Sequence, residues 1–214
     1  MQYFAVFDLE TTGLSVTYNH RVVEAAIVLV DAQGRIVHEW DTLLNPERSV
    51  AATHVHGIRD EDVASAPLFA EIAGEVVALL QGNVPVAHNL AFDAPFLINE
   101  FHQMGVKVPL GTRAGLCTMQ MARLYLPHSR RSLEACCAAI GYRNEAAHSA
   151  LADARATATL LAFYMSMDAD FMQRWADMID TAPQWRWPVV AEPSRSRLSR
   201  MVDIVAEGLG DTGA

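Results

Sequence analysis

The chain has 214 residues, 51% hydrophobic and 19% charged, with 9 prolines, 12 glycines and a net charge of −9. That is enough for one domain with a sizeable core, and too apolar and too poor in Pro and Gly for a disordered or collagen-like protein. No apolar run reaches the roughly 18 residues that span a bilayer, and three cysteines (Cys117, Cys136, Cys137) are too few for a disulfide scaffold. Met1-Gln2 leads straight into a core-like run without a basic leader, so a soluble, cytoplasmic protein is expected. The acidic total argues only weakly against a nucleic-acid partner, because carboxylates that hold metal ions also lower net charge. Arg113, Arg123, Arg130, Arg131 and Arg143 gather in one central stretch, and Arg195, Arg197 and Arg200 near the C-terminus.

Tyr3 to Phe7 is a continuous apolar run, as expected of a strand buried on both faces. Val22 to Val30 is a second, β-branched run; it ends at the turn signal Asp31 to Gly34, and Ile36 to Leu44 follows as a hairpin partner. Residues 45 to 67 read as loop-rich, with Asn45-Pro46 and Ala66-Pro67 as punctuation. Leu68 to Leu80 has helical apolar spacing and stops at Gly82. Val84 to Ala87 is a short buried strand, and a helix is predicted from Phe92 to Met104, before Gly105. Further helices fit Thr118 to Tyr125, Ser132 to Ile140 and Ser149 to Met165. Strands in a hairpin, then strands alternating with helices, predict an α/β layered domain with a mixed sheet. From Thr181 the texture changes to prolines with Trp185 and Trp187 between them. The reading is a domain over 1–180 and an extension over 181–214, whose tryptophans either pack back on the domain or anchor a partner.

Three segments carry chemistry. In Phe7-Asp8-Leu9-Glu10-Thr11-Thr12-Gly13, period-two alternation puts Asp8 and Glu10 on one face of a strand end. Two neighbouring carboxylates repel, and a hard divalent cation resolves the conflict. In Val86 to Asp93, a strand runs into a helix start that carries Asp93. In His148 to Asp153, five residues amount to about 140° around a helix. The pair therefore converges only if His148 stands on the preceding loop, where its imidazole suits proton transfer. Each pattern alone has an ordinary structural explanation; the ordered set does not.

Asp8, Glu10, Asp93, His148 and Asp153 in this order resemble the three exonuclease motifs of the DEDD superfamily, histidine branch. Ser149 occupies the position that is aromatic in the tyrosine branch. Thr53 to Ile58 and Glu61-Asp62-Val63 are similar to the segment before the first long helix of DnaQ-like proteins. The resemblance implies a ribonuclease H-like α/β fold, a five-stranded mixed sheet flanked by helices, over residues 3 to 166. It implies a pair of divalent ions, Mg²⁺ with Mn²⁺ as the alternative, and 3′-to-5′ release of mononucleotides from single-stranded or frayed DNA in proofreading or repair. Asp8 would bridge the ions, Glu10 and Asp153 would hold one, Asp93 would serve the other, and His148 would take the proton from water. Thr12, Gly13, Leu14, His56, Asn89 and Phe92 match substrate-contact positions of the family. A DNA polymerase is the partner it suggests. Trimming of RNA 3′ ends and an inactive nucleic-acid- or polymerase-binding subunit stand as alternative readings.

Overall fold

The structure is a computed structural model that describes residues 2–190. Phe4–Thr11 forms β1, Val22–Val30 β2 and Ile36–Leu43 β3. These three pair antiparallel in sequence, and the turn at their second corner needs glycine. Gly34 sits at φ +79, and a Cβ there would lie 2.9 Å from that of Ala162. Asp31 closes this turn by accepting from the backbone N–H of Gln33 and of Arg35, both at 2.9 Å. Val84–Ala87 forms β4, parallel to β1, and Leu116–Cys117 forms β5, parallel to β4. The order β3-β2-β1-β4-β5 is the expected five-stranded mixed sheet, with β1 at its centre.

Alternation along β1 divides the core into two layers. Ala5, Phe7 and Leu9 face helices α3 (Phe69–Leu80) and α4 (Leu90–Gln103). Phe4 and Val6 face the other side, covered by α7 (Ala150–Met167) with α5 (Thr118–Tyr125) and α6 (Leu133–Ala139). Continuing the even register puts Asp8 and Glu10 on the α7 side. Buried Ala150, Ala154, Ala156 and Ala158 on α7 pack in that layer, and side chains this small allow close approach to the sheet. Among the described residues no helix is long and apolar enough to cross a membrane.

The loop-rich segment over 45 to 67 contains two single-turn helices, α1 (Thr53–His56) and α2 (Asp60–Val63). Four residues are too few to display helical periodicity. The two-residue β5 escapes the sequence for the same reason. Two short helices, α8 (Phe171–Arg174) and α9 (Ala176–Thr181), lead to a 3₁₀ turn over Ala182–Gln184, and the described residues past 180 stay on the domain. Ala182 is buried on the α7 side, and Trp187, 8% exposed, is buried with the α3–α4 layer. The packing direction open in the sequence is therefore back onto the domain for Trp187. Arg195, Arg197 and Arg200 lie outside the described residues. Trp187→Ala is expected to lower unfolding stability by about 3 kcal/mol. Urea denaturation checks this, and an unchanged midpoint would deny Trp187 any weight in the core.

Candidate active site

The site forms where β1 and β4 end and α4 and α7 begin, at the carboxyl ends of parallel neighbours, where open α/β sheets place ligands. Asp8 and Glu10 project from the last residues of β1, and the register shifts between Glu10 and Thr11. Such an irregularity re-aims side chains at a strand end. Asp93 sits in the first turn of α4 and is buried, and the backbone of Leu9 in β1 reaches its carboxylate. Asp153 lies in the first turn of α7. His148 stands on the loop before α7, exposed, with a left-handed φ of 69 that a non-glycine residue adopts only when held there. What holds it is Asp153, whose Oδ2 accepts the His148 backbone N–H at 3.3 Å. Ligand atoms of Glu10, His148 and Asp153 all lie within 4.8 Å of one another.

The carboxylates crowd each other. Burial, then the charges of Asp93, Asp153, Glu10 and Glu24, push Asp8 well above its ordinary range. Burial, then Asp153 and Glu24, lift Glu10 to about 7. Burial lifts Asp93 to about 8, with a contribution from Glu10 against opposing backbone hydrogen bonds. Burial also raises Asp153, opposed by the His148 backbone, Asn144 and the His148 charge. Like charges gathered in a low-dielectric site fit a bound divalent cation, which stabilises every ionised form at once. Oxygen donors of this kind suit Mg²⁺ or Mn²⁺.

Two residues that sequence reading missed support the site. Glu24 faces Glu10 directly across the β1–β2 ladder. Like charges so placed destabilise a sheet, yet this carboxylate has separate work. Its Oε2 accepts the Ala150 N–H at 2.9 Å and its Oε1 accepts the Ser149 hydroxyl at 3.5 Å, which ties the N-terminus of α7 to β2. Asn144 donates its amide to Asp153 Oδ1. The only sequence signal for Glu24 was an acid inside an apolar strand run. Asn144 left none.

The six residues matched to substrate contacts differ in what they offer. Leu14 is 84% exposed, Asn89 is exposed, and Phe92 and His56 are partly buried. Thr12 is fully buried, and its hydroxyl accepts the Arg21 N–H at 3.0 Å and meets His20 Nδ1 at 3.1 Å. The space over Gly13 is filled by the His20 ring, which a Cβ would meet at 2.4 Å. Thr12 and Gly13 thus shape the loop that presents Leu14. Arg21 anchors that loop by a bidentate bond to buried Glu100 on α4, at 2.9 and 2.7 Å. His56 Nδ1 accepts the Ile58 N–H at 3.1 Å, and the carbonyls of Ala51 and Thr11 lie beside its ring.

The fold is ribonuclease H-like, with acids from the end of β1 and the first turns of α4 and α7 and a loop histidine beside them, and it is shared with exonucleases. Residues 5–161 match the family model described as Exonuclease (RNase_T), and the chain belongs to that family. DNA polymerase III subunit epsilon of Pasteurella multocida is 32% identical over 174 residues, covering 76% of this chain and 66% of that protein. A DNA polymerase III PolC-type protein of Oceanobacillus iheyensis is 32% identical over 161 residues, 74% of this chain but only 11% of that protein. This chain therefore spans less than two thirds of either relative. Among solved structures, Exonuclease X in complex with 5′ overhanging duplex DNA superposes with a TM-score of 0.63 at 27% identity, covering 82% of this chain and 98% of that one. E. coli Exonuclease I in complex with a dT13 oligonucleotide shares the fold, with a TM-score of 0.68 at 17% identity, covering 83% of this chain and 43% of that one.

Two outcomes follow from this geometry. Unfolded, Glu10 and Asp93 lose their protons near their ordinary values of 4.5 and 3.8; folded, they keep them to about 7 and about 8. The folded state binds more protons in that window, so metal-free stability falls as pH rises through it. In EDTA the melting temperature should drop between about pH 5 and about pH 8, and Asp93→Asn should flatten the drop. An equal slope in the variant would remove the crowding. Separately, Glu24→Gln, which keeps an acceptor for Ala150, should stay near wild-type turnover. Glu24→Asp, which keeps charge but not reach, should lose about 10-fold or more. The reverse ranking in steady-state kinetics would make the charge, not the tie to α7, the useful feature.

Proposed function

We propose that this protein is a metal-dependent 3′-to-5′ exonuclease that removes mononucleotides from the 3′ end of single-stranded or frayed DNA. The observation that carries the reading is the convergence of Glu10, His148 and Asp153 beside Asp8 and Asp93 at one end of the sheet. Asp8, Glu10, Asp93 and Asp153 would hold a pair of Mg²⁺ ions, with Mn²⁺ as the alternative. When bound, the ions supply charge neutralisation at the attacking and departing oxygens and a nucleophile usable at neutral pH.

The remaining tasks fall to the chain. His148, exposed on its loop and within reach of Glu10 and Asp153, accepts the proton as water attacks phosphorus. Asn144 and the His148 backbone fix the Asp153 carboxylate, so the proton acceptor and the nearest acid move together. Leu14, Phe92, His56 and Asn89 surround the terminal nucleotide with apolar and polar groups that grip any base, with Thr12 and Gly13 holding the loop in shape. A proofreading role beside a DNA polymerase is supported by relatives named as DNA polymerase III subunits.

The test compares 5′-labelled single-stranded DNA, matched RNA and a 3′-mismatched duplex, with Mg²⁺ and with EDTA. A metal-dependent ladder shortening from the 3′ end is expected, strongest on DNA. A stronger ladder on RNA would move the assignment to RNA 3′-end trimming, and none from folded, metal-loaded protein would leave a binding subunit. Asp8→Ala should abolish cleavage while keeping a cooperative thermal transition. His148→Ala should lose about 10²- to 10⁴-fold in kcat while Mg²⁺ still raises its melting temperature. Loss of the Mg²⁺ effect in that variant would make His148 a metal ligand rather than the proton acceptor.

A further inference from the structure

The loop over residues 12–21, between β1 and β2, is closed at its neck by its own ends. The Thr12 N–H donates to the Arg21 carbonyl at 2.8 Å, and the Arg21 N–H donates to the Thr12 hydroxyl at 3.0 Å. Within the loop, a 3₁₀ turn over Val16–Tyr18 is capped by Ser15, and Val16 packs against the α3–α4 layer. Arg48 donates to the carbonyls of Tyr18 and Asn19 from a neighbouring segment. This ordered loop presents Leu14 and Tyr18 to solvent, both largely exposed.

Two charged residues join the neck to α4. Glu100 is 2% exposed. Its Oε1 accepts from Arg21 Nε at 2.9 Å and from the Val22 N–H at 3.1 Å, and its Oε2 accepts from Arg21 Nη2 at 2.7 Å. One carboxylate thus holds both the guanidinium and the backbone where the loop becomes β2. A buried ion pair is a poor source of stability, because well-packed apolar residues of similar volume often do as well or better. Leu97 and Phe101 on the same helix are buried, so apolar packing already serves this part of α4. What the bidentate, charge-assisted bond adds is a fixed distance and angle. Asp93 precedes Glu100 by about two helical turns and so lies on the same face of α4. One helix face therefore carries an acid of the site at one level and the tie to the loop at another.

We propose that Arg21 and Glu100 are positioning residues for the substrate. They fix the 12–21 loop relative to the acids, and so set how tightly the 3′-terminal nucleotide is held at Leu14. The proposal rests on the 3′-exonuclease reading. Buried Glu100 acts through the loop, and a grip that is equal before and during attack enters KM and not kcat. Loosening the neck therefore costs binding of the 3′ end while the acids keep their places.

The experiment makes Glu100→Gln and Arg21→Lys, each alone and combined with Leu14→Ala, which truncates an exposed side chain. Steady-state cleavage of 5′-labelled oligothymidylate is measured with Mg²⁺, and its binding by anisotropy with Ca²⁺ in place of Mg²⁺, well below each variant's melting temperature. Glu100→Gln should raise KM and weaken binding by about 10-fold or more, with kcat nearly unchanged. Mg²⁺ should still raise its melting temperature as in wild type. Arg21→Lys, which keeps the charge but not the fork, should fall between. In the Leu14→Ala background, Glu100→Gln should change KM by about 2-fold or less, because the contact it acts through is gone. A purely structural role would lower the melting temperature without this coupling to an exposed residue. Equal costs in both backgrounds would overturn the proposal, as would a fall in kcat at constant KM, which would place the effect at the acids. If Glu100→Gln does not fold, Arg21→Lys and Arg21→Gln carry the test, and absence of coupling to Leu14 in both would overturn it. A wild type that binds the oligomer with the same coupling but cleaves nothing would overturn the exonuclease reading instead, and the two failures are therefore separable.

Discussion

Mutual repulsion among carboxylates is the constraint around which this end of the molecule is built. Asp8, Glu10, Asp93 and Asp153 come from three elements that would pack more easily with neutral residues at those positions. Asp8 and Asp93 hold their protons far above the carboxylate range, which measures how badly the site tolerates its own charge without a cation. A fold retains such a conflict only if the rest of the domain over-determines it. Here the sheet does so: β1 is central, flanked by β2 and β4 and buried on both faces, and cannot relax to spread its acids.

The α7 N-terminus is where this strain is converted into order. Glu24 adds a further negative charge, but its oxygens are turned to the Ala150 N–H and the Ser149 hydroxyl, and the helix end offers it partial positive charge. The carboxylate that looks like a fifth repelling group is therefore the tie that fixes the height of α7 above β2. Asp153 follows within one turn, and its two oxygens pull in Asn144 and the His148 backbone. The left-handed conformation of His148 thus depends on an acid five residues later, and that acid's position depends on a strand more than a hundred residues earlier.

How much of this was legible in the sequence depends on the range of the interaction responsible. Period-two alternation is local, and it reads Asp8 and Glu10 onto one face without knowing what covers that face. Helical geometry is local too, and it forces His148 off α7 if it is to meet Asp153. The long helices and the hairpin announce themselves through apolar spacing and the Asp31–Gly34 turn. What stayed hidden is either too short or too distant. The four-residue helices α1 and α2 and the two-residue β5 carry no period. Glu24 acquires meaning only when register places it opposite Glu10, and Asn144 only when its loop folds over Asp153. Thr12 shows the converse, since nothing local reveals that its hydroxyl is consumed by His20 and Arg21.

Net charge was the least informative quantity of all, for a physical reason. Electrostatic attraction is screened over roughly 10 Å at ordinary salt, so a strand entering the site responds to charges it passes closely and not to the chain's total. Four of the acids in that sum, Asp8, Glu10, Asp93 and Asp153, sit where a divalent ion would cancel them. The loop before α6, which carries Arg130 and Arg131, is tied through the Arg131 carbonyl to His88, at the strand end that leads to Asp93. One strand terminus therefore sets both the position of an acid and the backbone of that loop. A change at His88 would therefore be felt both at the start of α4 and at the loop before α6, whose shared support it is.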